Sequence, residues 1–107
     1  MFVVKIMNEY GHGPIWVYDE DGLPTHSFPL VCEDALLREL NERARELYDS
    51  FYAFNTPNAA CEFSYDKEKA CRNEMLTLIR KIVVRLEEIS NGLFVVEDYE
   101  TKYLTAL

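Results

Sequence analysis

The chain has 107 residues, 49% of them apolar and 13% aromatic, with 19 acids against 11 bases for a net charge of −8. That length and apolar content predict a single domain with a core of its own and exclude a chain disordered throughout. The charge repels nucleic-acid phosphates and anionic lipid surfaces, so neither partner is expected; it suits simple solubility or a basic protein partner, and by itself favours the former.

Cys32, Cys61 and Cys71 are odd in number, irregularly spaced and without a CxxC pair, which fits a reducing compartment better than a disulfide framework. The opening MFVVKIMNEYGHG has too short an apolar run for a signal peptide, and no run approaches the roughly 20 residues of a membrane span. A cytoplasmic location is expected.

In chain order, residues 2–8 (FVVKIMN) read as a short strand, and Gly11, Gly13 and Pro14 mark a chain reversal. Residues 15–18 form a second strand, with Ile15 and Val17 on one face and Trp16 and Tyr18 on the other. Asp19, Glu20, Asp21 and Gly22 close it as a turn; the spacing does not suit a calcium loop, because Gly22 comes too early and residues 23–29 supply no acid. Residues 23–31 carry two prolines and allow at most an edge strand.

The first long helix is predicted over residues 34–54. Leu36, Leu37, Leu40, Ala44, Leu47, Tyr48, Phe51 and Phe54 line one side, and charges fill the rest as a solvated face. Residues 55–58 (NTPN) end it, and residues 59–65 read as either a short strand or a connection. The second helix, residues 66–90, repeats apolar positions from Cys71 through Met75, Leu78, Ile79, Ile82, Leu86 and Ile89, with Asp66 as its N-cap. Asn91 and Gly92 supply the residue types of a left-handed helix end. Residues 93–98 (LFVVED) form a last strand; the tail to Leu107 is mixed, and Tyr103, Leu104 and Leu107 suggest that it docks somewhere.

These elements predict an α+β two-layer sandwich: a small antiparallel sheet of three or four strands, with the two long helices packed on one face. The other face is then at least partly exposed.

No arrangement of residues calls for catalysis, and neither a cofactor nor a metal is expected. His12 and His26 read as solvent-exposed loop histidines without a partner at HxH or HxxxH spacing. Cys71 falls on the apolar side of the second helix as a core residue. The remaining pattern is acidic and aromatic. Trp16, Tyr18, Asp19, Glu20 and Asp21 lie together near one sheet tip, and Glu97, Asp98, Tyr99 and Glu100 follow the last strand. Residues 1–31 and 91–107 together hold seven acids and two bases, whereas residues 66–90 hold six bases and five acids. Rings as rigid anchors with acids for steering are what a face for a basic protein needs. The alternative is that Trp16 and Tyr18 pack in the core while the acids solvate turns; the sequence leaves the inward face of the strands open.

The N-terminal PIWVYDEDGLP, the helix pair and the closing GLFVVEDYETKYL, in a small acidic chain, resemble the immunity proteins of bacterial polymorphic toxin systems of the contact-dependent inhibition type. The resemblance is one of overall style over most of the chain. It implies stoichiometric occlusion of a cognate toxin domain, often a nuclease, whose basic character would suit this charge. The alternative is a small structural or assembly subunit that self-associates or adds its sheet to a partner. Monomer and homodimer both fit.

Overall fold

The computed structural model describes residues 1–53 and 62–107. Two strands open the chain, β1 (Phe2–Ile6) and β2 (Ile15–Tyr18), followed by a one-turn helix α1 (Pro29–Cys32) and the long helix α2 (Ala35–Asp49). A two-residue ladder, β3 (Tyr52–Ala53) with β4 (Glu62–Phe63), leads to α3 (Tyr65–Ala70) and α4 (Arg72–Ser90). Strand β5 (Phe94–Asp98) and a short helix α5 (Glu100–Thr105) complete it. The α+β class and the helix pair agree with the pattern of periodicities.

The main sheet has the order β2-β1-β5 and is mixed where an antiparallel one was expected. Strand β2 pairs antiparallel to β1, but β5 runs parallel to it, Phe2 opposite Phe94 through Ile6 opposite Asp98. The cause is α4. It ends in Asn91 (φ 45°) and Gly92 (φ 74°), with Leu93 N–H donating to the Ser90 carbonyl at 2.7 Å, so the chain turns straight from the helix end into β5. The intervening helices form the crossover that a parallel pair requires.

The core takes its strand residues from one face only: Val4, Ile6, Val17 and Phe94, with Phe2, Ile15 and Val96 packed against them. Helix α4 contributes Met75, Leu78, Ile79, Ile82 and Leu86, and α2 contributes Leu37, Leu40 and Ala44. Fully burying such a side chain stabilises by roughly 1.5–3 kcal/mol, so α4 carries a larger share of the core than α2. The tail docks on the core: Leu104 of α5 is buried and Leu107 packs against it, whereas Tyr103 stays exposed.

Several boundaries differ from the sequence pattern. The first helix stops at Asp49, because Ser50 Oγ donates to the Leu47 carbonyl at 2.6 Å and the chain then enters β3. Phe51 is nonetheless buried, whereas Leu36 is exposed; Phe54 and residues 55–58 lie outside the described residues, as do Ala59, Ala60 and Cys61. The second helix starts earlier and breaks once. Ser64, not Asp66, caps α3 by accepting the Lys67 N–H at 3.2 Å, and Cys71 (φ −96°, ψ 9°) separates α3 from α4. Cys71 is half-buried against the core. Within residues 23–31, Pro29 begins α1 instead of excluding a helix, since the first helical position needs no N–H.

Asp34 joins the two long helices. Its Oδ2 accepts the Leu37 N–H at 3.0 Å as the α2 cap, and its carboxylate takes Arg85 of α4 at 2.6 and 3.1 Å. The Arg85 hydrogen bond holds the Asp34 carboxyl below the usual aspartate range, against the opposing cost of burial. Its contribution is present at neutral pH and is lost only as pH falls through that lowered value. Asp34→Ala is expected to destabilise by about 1–2 kcal/mol at pH 7, the cost of losing a cap. In urea unfolding, the gap between variant and parent should close in strong acid.

Candidate partner-binding face

The alternation that buries Val4, Ile6, Val17 and Phe94 turns Val3, Lys5, Trp16, Tyr18, Val95 and Glu97 to the opposite side of the sheet. None of these six belongs to the core or its packed margin. The register aligns them in two rows, Tyr18–Val3–Val95 and Trp16–Lys5–Glu97. Cross-strand neighbours and diagonals are close enough to interact. Lys5 Nζ lies 4.7 Å from the Tyr18 ring centroid, a cation over an aromatic face.

The loop before β2 holds the Trp16 end of the face. Trp16 Nε1 donates to the Met7 carbonyl at 2.9 Å, and the His12 ring stacks on the indole at 3.6 Å and 7°. His12 Nδ1 meets the Gly13 carbonyl at 2.9 Å; a carbonyl only accepts, so Nδ1 carries the proton. His12 is therefore half-buried and part of a stack, unlike the exposed loop residue expected; His26 is exposed. Asn41 of α2 fixes the loop from behind, accepting the Ile15 N–H at 2.9 Å and donating to the His12 carbonyl at 3.2 Å. Gly13 (φ 90°) permits this approach, since a Cβ there would stand 2.5 Å from Asn41 Nδ2.

The other end of the face belongs to β5. The Tyr99 hydroxyl donates to Glu97 Oε1 at 2.7 Å, and that carboxylate, with some burial and the nearby Tyr18, raises the Tyr99 pKa above the usual phenol range. Tyr99, Val95 and Leu93 are 52%, 44% and 56% exposed, so apolar surface here is available to a partner without unfolding anything.

The nine residues singled out by sequence thus divide. Trp16, Tyr18, Glu97 and Tyr99 meet on or beside one face. Glu20 and Asp21 are exposed in the turn beyond Tyr18, at the end of the sheet away from Glu97. Asp19, Asp98 and Glu100 have local partners. Asp19 Oδ1 accepts the N–H groups of Asp21 and Leu23 at 2.9 and 3.0 Å, closing the turn. Asp98 Oδ1 accepts those of Glu100 and Thr101 at 2.9 and 3.0 Å, tying down the start of α5. Glu100 Oε1 accepts the Asn8 N–H at 2.7 Å. Val3, Lys5, Val95 and His12 are additions that become visible only with the register.

Burial, followed by the charges of Glu68 and Asp98, pushes the Glu100 carboxyl above the usual glutamate range even though the Asn8 N–H opposes the shift. Folding therefore binds a proton more tightly there, and stability falls as pH rises from the ordinary glutamate value through the raised one. Glu100→Gln keeps an acceptor for Asn8 and removes the charge. It is expected to be more stable than the parent at pH 7 and nearly equal to it near pH 4, read as urea midpoints at the two pH values.

Among the described residues, no helix is long and apolar enough to cross a membrane, and no group of three or more His, Cys, Asp or Glu side chains is placed to hold a metal. The chain matches no known protein family, no curated protein and no solved structure.

Proposed function

We propose that this chain is an immunity-type binding protein that neutralises a basic toxin domain, such as a nuclease, by laying the outer sheet face over it. The observation that carries the reading is the juxtaposition of Trp16, Tyr18, Val95 and Tyr99 on a sheet face that supplies nothing to the core, in a chain of net charge −8. Rings and exposed aliphatic surface give anchors, and Glu97 with the turn acids gives steering and pairing for lysines and arginines. Because Asp98 and Glu100 are tied to backbone N–H groups, Glu97, Glu20 and Asp21 carry more of the electrostatic role.

The test is co-expression with the protein encoded immediately upstream in the source genome. A neighbour that is toxic alone, harmless with this chain and co-purified with it supports immunity; a harmless neighbour that does not co-elute sinks it. With such a partner in hand, replacing Asp19, Glu20 and Asp21 together by alanine should slow association several-fold at low salt and flatten its salt dependence. Unchanged association kinetics would remove the turn from the interface.

A second reading is self-assembly through β5, an edge strand of the main sheet with Val95 exposed on it. Light scattering that gives a higher mass at higher concentration, without any partner, would favour it.

A further inference from the structure

A concavity of about 390 Å3 lies at the outer edge of β2, within the roughly 300–1,000 Å3 range of small-molecule sites. Its walls are β2, residues 24–26, α1 and the first two turns of α2. Residues 23–25 run beside β2: Thr25 N–H donates to the Val17 carbonyl, and Asp19 N–H to that of Leu23, both at 2.9 Å. Asn41, engaged with Ile15 and His12, closes one end, and the stacked His12 is held beside it. The site is preformed, which lowers the ordering cost of binding.

Its chemistry departs from that of the chain around it. Ile15, Trp16, Pro24 and Cys32 offer its apolar surface, laid over the buried Val17, Val31 and Leu37, and Arg38 and His26 supply polar groups. None of the thirteen lining residues is Asp or Glu, although the chain has 19 acids. Arg38 is exposed, and the ion pairs among the described residues join Arg45 to Glu42 and Asp49, and Arg85 to Asp34, leaving Arg38 out. An unengaged guanidinium at the rim of an apolar concavity selects an anion with an apolar body.

We propose that this groove binds a small organic carboxylate, its body against Ile15, Trp16, Pro24 and Cys32 and its carboxylate on Arg38, with His26 as a second donor. A planar guanidinium meets a carboxylate through two parallel hydrogen bonds. A phosphate ester is better held by several cations or a run of backbone N–H groups at a helix start, a different donor set from the one lining this groove. The site goes beyond the partner-binding reading and does not rest on it; Trp16 and His12 border both surfaces.

Trp16 is the single tryptophan and lines the groove, so its fluorescence reports occupancy. The full chain is titrated with benzoate, 3-phenylpropanoate and octanoate, each beside its primary amide, and with inorganic phosphate. At least one acid should bind saturably with a Kd of about 1 mM or below. Its amide should bind at least about tenfold more weakly, and phosphate should not compete. Amide chemical-shift changes should centre on residues 24–26 and 37–41. Arg38→Gln, at an exposed position, should weaken acid binding about tenfold or more and leave amide binding unchanged. The proposal is overturned by saturable binding of none of the acids, by equal affinity for acid and amide, by shift changes centred elsewhere, or by an Arg38→Gln variant that binds the acid as the parent does.

Discussion

Gly13→Ala is expected to lower stability by about 2–4 kcal/mol, far more than a surface loop substitution usually costs. Two penalties combine. At φ 90° the backbone is one that L side chains rarely adopt, and the new Cβ would meet Asn41 Nδ2 at 2.5 Å and Oδ1 at 2.7 Å. If Asn41 moves away, the Ile15 N–H and the His12 carbonyl lose their partners, and the loop under Trp16 loosens. Gly11→Ala is the control. Its φ of 77° carries the conformational penalty, but nothing lies within 4 Å of the added carbon. It should cost about 1 kcal/mol. Urea unfolding of both, with unchanged slopes, separates backbone strain from the Asn41 latch. Equal losses for the two variants would mean that the latch contributes nothing.

The second large effect concerns binding. Tyr99→Ala combined with Val95→Lys should weaken association with a cognate basic partner by about 100-fold or more, as the loss of two central anchors does. Both residues are more than two-fifths exposed and outside the core, so the folded chain should retain its stability to within about 1 kcal/mol. Lysine at 95 also sets a positive charge against a positive partner and discourages strand-on-strand pairing at β5. Trp16 is a poorer probe, because removing it also breaks the Met7 hydrogen bond and the His12 stack. Calorimetric titration against the partner, beside thermal unfolding of the free variant, reads both quantities. Full affinity in the double variant would move the interface off this face.

What was legible in the sequence was local and periodic. The apolar seams of α2 and α4 stand out because helical spacing repeats over many residues, and the alternation in IWVY and LFVV separates two strand faces correctly. The burial of Val17 and Phe94 then decides which face is inward, a choice that depends on packing and not on period. The direction of β5 could not be read, since parallel pairing with β1 depends on where the end of α4 delivers the chain. The break at Cys71 carries neither proline nor glycine, and one apolar seam continues across it. Asp19 is legible as a turn former, and Asp98 carries the same kind of local signal: an acid two to four residues before an unpaired N–H is a capping or turn residue before it is a binding one.

The pairing of Phe2 with Phe94 has a kinetic meaning. The central strand of the sheet is synthesised first and completed last. A β1–β2 hairpin can form early, yet one side of β1 waits until residues 94–98 exist, and closing a loop of that length is slow compared with winding a helix. Until then Val4, Ile6 and Val17 have only a partial core to cover them, and β1 offers an open edge to other chains. The outer face, too, is assembled only when β5 docks. If this face is the partner surface proposed above, competence to bind arrives with the last strand, and substitutions that delay β5 docking should reduce the yield of binding-competent protein more than they reduce its equilibrium stability.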